Sequence, residues 1–147
     1  SEHYPYWRQE LHLTEMTYGA FGENFTTCGL LEDEVCIGDV FKAGETIVQV
    51  SQPRQPCWKI ERRWGIKDFV VRMKQTGRTG WYFRVLQEGY AEAGNIFVLT
   101  ERPFPQYTVA IAYGIMRNRK IHSKEAQALA QCPALSPRWQ ENLRSVK

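Results

Sequence analysis

Histidine is scarce, closely spaced cysteine pairs are missing, and no long apolar run occurs in this chain of 147 residues. His3, His12 and His122 are scattered, with no helical i,i+4 pair among them, which argues against a zinc site. Cys28, Cys36, Cys57 and Cys132 form no C-x-x-C motif and are too few to staple a chain of this length, so reduced thiols are expected. No stretch approaches the roughly eighteen apolar residues of a membrane helix, and the start shows no basic-then-apolar leader. A soluble cytoplasmic protein is therefore expected. The G-x-S-x-G elbow, the P-loop and the dinucleotide G-x-G-x-x-G are all absent, and no histidine lies near Cys57 in sequence, which argues against Cys-His hydrolysis.

Charge, by contrast, is present in blocks. Residues 1–51 hold two basic against nine acidic residues, a net −7, and residues 52–84 hold nine basic against two acidic, a net +7. The blocks either neutralise each other within one fold or mark an anion site in the second. Tyr4, Trp7 and Leu11 recur at helical spacing, whereas Phe21 to Thr27 alternates like a short strand that displays Asn24. Strands are expected around 35–41 and over 46–50, 81–86 and 96–100, with a helix over 69–76 closed by Gly77. Short strands joined by glycine-rich turns argue for a small barrel or sandwich. After Pro105 the spacing turns helical: Val109 to Ile115, a helix capped by Ser123, and one opened by Ser136-Pro137, together a three-helix appendage.

The strand over 46–50 runs into Ser51-Gln52-Pro53-Arg54-Gln55-Pro56-Cys57-Trp58-Lys59. Two prolines stiffen this segment, and Cys57 lies between Arg54 and Lys59, cationic surroundings of the kind in which a cysteine works as its thiolate. A thiolate on a rigid loop is a good soft metal ligand. Arg54 offers a planar fork for phosphate or an oxo-anion, and Arg78, between Gly77 and Gly80, can do the same with backbone N–H groups assisting.

Four stretches in order, Phe21-Gly22-Glu23-Asn24, Ile37-Gly38-Asp39, Val50 to Cys57 and Gly77-Arg78-Thr79-Gly80-Trp81, resemble the MOSC domain, the molybdenum cofactor sulfurase C-terminal type, and within it the YiiM group. The resemblance implies a mainly β fold, a small β-barrel over residues 1–105 lacking its N-terminal strands, since the His-Gly-Gly stretch usual in relatives is absent. It implies a small three-helix domain over 106–147. It further implies a molybdenum cofactor (molybdopterin) whose metal is held by Cys57, the catalytic position, with cofactor contacts from Asn24 and its neighbour Glu23, Arg54 and Gln55, and Arg78, Thr79 and Gly80. The implied activity is reduction of small N-hydroxylated compounds, hydroxylaminopurine-type bases included, with electrons from a separate reductase and no membrane partner. The family is also associated with pyridoxal phosphate binding.

Two other readings remain open at this point. The chain could carry the cofactor or sulfur on Cys57 without turnover. Alternatively, Trp58, Arg62, Arg63, Trp64, Arg78 and Trp81 interleave aromatics with cations as single-strand nucleic-acid binders do, although the small overall charge of +3 and the lack of a known nucleic-acid motif weigh against it.

Overall fold

The computed structural model describes residues 1–145. Elements run in the order α1 (His3–Leu11), β1 (Val40–Ala43), β2 (Thr46–Pro53), α2 (Lys59–Trp64), α3 (Phe69–Thr76), β3 (Trp81–Gln87), β4 (Phe97–Glu101), α4 (Val109–Arg117), α5 (Ser123–Leu129) and α6 (Pro137–Arg144). The chain divides into two compact units. One comprises Ser1–Leu31 and Pro56–Arg78, the other Glu32–Gln55 and Thr79 onward.

The first unit is helical. Tyr4 and Trp7 on α1 are buried with Met16, Ala20, Ile60, Phe69 and Met73. Trp7 meets Phe69 edge to face at 5.1 Å, an arrangement in which the positive ring edge faces the negative ring plane. The strand expected over 21–27 is instead a loop. Glu23 explains the difference: its Oε1 accepts from Gly19 N–H at 2.9 Å and Thr26 Oγ1 at 3.0 Å, and its Oε2 from Phe21 N–H at 3.1 Å. The Phe21 backbone donor that a strand would need is thus spent on a side chain.

The second unit carries an antiparallel sheet in the order β3-β2-β1-β4. The β1–β2 turn requires Gly44, at φ +60°, where a Cβ would lie 2.5 Å from the Tyr90 carbonyl oxygen. Phe41 on β1 touches both Phe83 of β3 and Phe97 of β4, and these two rings stack 5.9 Å apart, so aromatic side chains from both edge strands meet on one face of the sheet. It does not close. Helix outweighs strand, 32% against 18%, so the expectation of a mainly β barrel is corrected to a mixed α/β fold with an open four-stranded sheet. Four strands are too few to close around a packed interior.

Helix α4 lies against β2, and α5 and α6 follow it. The first turn of α4 is tied down by Val109 N–H to Val35 O at 2.8 Å, Ala110 N–H to Glu32 O at 2.7 Å, and the Thr108 side chain accepting from Ile111 N–H. Ser136 caps α6 as expected, with Pro137 in its first turn. Ser123, expected as a cap, is the first residue of α5, and the cap position belongs to His122, whose side chain makes no capping bond. No helix among the described residues is long and apolar enough to cross a membrane.

Candidate functional site

The loops that follow β2 and precede β3 are set by sheet register. Pro53, the last residue of β2, pairs with Trp81, the first of β3, and one step further Arg54 N–H donates to Gly80 O at 2.9 Å. A register shift between Val50 and Gln52 leaves Ser51 as an extra residue, whose hydroxyl donates to Tyr82 O at 3.0 Å. Such bulges re-aim the strand that carries them. Gly80 sits at φ +72°, a conformation that costs residues with a Cβ, and its N–H donates to Glu32 Oε1 at 2.8 Å. Glu32 is buried, and its backbone carbonyl holds the first turn of α4. In this unit, therefore, the structure brings together Arg54, Gln55, Thr79 and Gly80, with Arg54 half-buried, Gln55 exposed and Thr79 buried.

In the other unit, Pro56 is buried and Cys57 is exposed. The Cys57 carbonyl accepts from Ile60 N–H at 3.2 Å, which fixes the cysteine at the entry to α2. Asn24 is exposed on its loop. Its neighbour Glu23 is committed to that loop and also accepts from the Tyr4 hydroxyl. Burial alone would raise the Glu23 pKa, but hydrogen bonds from Tyr4, its own backbone, Gly19 and Thr26 outweigh it and hold the carboxyl below its ordinary value. Arg78 is half-buried: its guanidinium carbon lies 4.4 Å from the Tyr6 ring centre and its Nη1 is 3.1 Å from His3 Nδ1. Helix α1 thus references both the Asn24 loop, through Tyr4, and Arg78, through His3 and Tyr6. Stacking on the ring occupies the face of the guanidinium and not its N–H edge, and Nη1 on that edge meets His3.

The remaining cysteines differ from Cys57. Cys28 is exposed in a loop, and Cys36 and Cys132 are buried. Burial pushes the Cys36 thiol up, the Asp39 charge pushes it further, and Arg102 opposes both. Glu32, His3 and Tyr6 were not candidates from sequence. Glu32 lies 48 residues from the glycine it holds, and His3 carried no ligand-like spacing. Asp39 belonged to a motif, although its partner Arg102 lies 63 residues away.

Known proteins resemble this chain over nearly its whole length. It is 41% identical over 147 residues to the uncharacterized protein YflK of Bacillus subtilis (strain 168), covering all of this chain and 66% of that protein. It is 37% identical over 137 residues to a protein of Gibberella moniliformis (strain M3125 / FGSC 7600) named as a reductase, covering 91% of this chain and 24% of the relative. The chain thus spans about two thirds of the first relative and about a quarter of the second. The crystal structure of YiiM from Geobacillus stearothermophilus superposes with a TM-score of 0.94 at 43% identity, covering 97% of this chain and 73% of that one. The MOSC domain matches residues 1–97, the region that contains Asn24, Cys57, Arg78 and the β2–β3 loops, and the chain belongs to the MOSC domain family.

Proposed function

We propose that this chain is the cofactor-bearing part of a molybdenum-dependent reductase of N-hydroxylated compounds. The observation that carries the reading is Cys57: an exposed thiol on a proline-stiffened segment inside the MOSC-matched region. MOSC domains in general are associated with molybdenum cofactor binding, and one relative is named a reductase.

The donor set fits such a group. A single thiolate suits a metal whose other ligands arrive with an organic cofactor. Cys57 would hold the metal. Within the unit that carries Cys57, Arg78 would balance an anionic phosphate, and in the other unit Arg54 offers a planar fork of its own beside Gly80. When bound, the cofactor supplies two-electron redox chemistry at the metal. The overall change is R–NHOH + 2 e⁻ + 2 H⁺ → R–NH₂ + H₂O: the N–O bond breaks and its oxygen leaves as water. The chain's own part is to hold the group on a stiff loop and to neutralise its charge.

Turnover tests this. Cofactor-loaded chain supplied with a hydroxylamino base and a chemical reductant is expected to yield the amine, and Cys57→Ser to yield none. Loaded protein that never converts the base supports instead a carrier that holds the cofactor without turnover.

A further inference from the structure

Helix α2 shows two unlike sides. Ile60 is buried and Trp64 half-buried, whereas Lys59, Arg62 and Arg63, spaced i, i+3, i+4 on one face, are exposed. Trp58 precedes them at 59% exposure, with the Arg62 guanidinium 5.9 Å from its ring centre, and Lys67 is exposed just beyond. Glu61, the acidic residue of this helix, is turned away and accepts from Val70 N–H at 3.1 Å. The face therefore presents positive charge around one large apolar ring, and it begins at the residue after Cys57.

We propose that this face docks an acidic electron-donor protein. The proposal rests on the reductase reading: breaking an N–O bond consumes two electrons, and a docked donor delivers them close to the thiol. A reduced flavin carrier balances the step, FMNH₂ + R–NHOH → FMN + R–NH₂ + H₂O. A short cationic helix with one aromatic anchor matches the small, electrostatically steered contact of transient redox pairs. Nucleic acid is the less favoured occupant, because a stacking platform needs several exposed rings. Trp64 is half-buried with its indole N–H on Ala20 O at 3.1 Å, and Trp81 is half-buried in β3.

The test compares two donors on the cofactor-loaded chain: reduced flavodoxin, as an acidic protein probe, and reduced methyl viologen, a small molecule that needs no docking face. Arg62→Glu with Lys67→Glu is expected to lower kcat/KM for flavodoxin by at least about tenfold, the order of an electrostatic steering effect, and to flatten its salt dependence. Turnover with viologen should stay at the wild-type rate. Equal loss with both donors, no loss with either, or a wild type that accepts viologen but not flavodoxin overturns the docking face. So does a variant that loses salt-dependent oligonucleotide binding while flavodoxin turnover persists. A wild type that turns over with neither donor removes the reductase reading itself, and the docking face with it.

Discussion

Asp39 is fully buried, and Arg102 reaches both of its oxygens, at 2.7 and 3.0 Å, while Cys36 N–H donates to the same carboxylate at 2.9 Å. Removing one partner of a buried pair leaves a desolvated charge, a loss of about 3–5 kcal/mol when both partners are buried and about 0–1 when both are exposed. The Arg102 side chain is 37% exposed, so Arg102→Ala is expected to fall between these limits in urea unfolding. A cost below that of a surface pair would mean that water reaches Asp39. Tyr4 and Glu23 give a pH signature. Burial first, and the neighbouring Glu23 next, push the Tyr4 hydroxyl from 10.0 up to about 12, while Glu23 is held below 4.5. A lowered carboxyl pKa contributes stability that is complete above pH 4.5 and is lost as pH falls through the folded value. A raised tyrosine pKa contributes stability that is complete below pH 10 and is lost as pH rises toward about 12. Glu23→Gln should therefore flatten the acid limb of the urea midpoint against pH, and Tyr4→Phe the alkaline limb. Unchanged slopes would deny that the pair is linked to folding.

Strand β2 is the element on which the second unit's candidate loop depends, and α6 braces it. Ser136 caps α6, donates its hydroxyl to the Gln52 side chain, and gives its N–H to Ser51 O at 3.1 Å. Ser136→Ala is expected to cost about 1 kcal/mol, the usual loss of an N-cap, measured by chemical denaturation; no loss would mean that Pro137 alone opens the helix. Much at this scale was legible in the sequence. Tyr4, Trp7 and Leu11 announced α1, the β-branched run announced β2, and Ser136-Pro137 announced α6, because each is a local pattern with a local cause. The illegible parts depend on partners far along the chain. Glu23 gathers donors from Gly19, Phe21 and Thr26 where a strand over 21–27 was expected, α2 is too short to show a period, and Glu32 meets Gly80 across 48 residues. Of the candidate site, the cysteine loop and its arginines could be read from residue type and spacing, whereas the groups that hold Arg78 and Gly80 could not.

At the scale of the whole molecule, the open sheet leaves apolar surface on both edge strands. Val85 and Leu86 on β3 are 58% and 50% exposed, and Val98 and Leu99 on β4 are 52% and 42%. Unpaired edges with exposed apolar residues recruit other strands, so this chain alone is expected to associate at rising concentration in sedimentation experiments, and Val98→Lys to reduce that association. A chain that stays monomeric throughout would show that these edges are already satisfied. The division into two units also shaped what the sequence could reveal: candidate residues fall in both, Cys57 in the first and Arg54 in the second, so the motif order was readable while the unit that holds each motif was not. The assignment of Cys57 as metal ligand is tested most directly by molybdenum and pterin content after production in cells that synthesise the cofactor. Wild type is expected to carry molybdenum and pterin, and Cys57→Ser, folded by circular dichroism, to lose the metal; wild type without molybdenum, or Cys57→Ser retaining as much as wild type, would contradict the assignment.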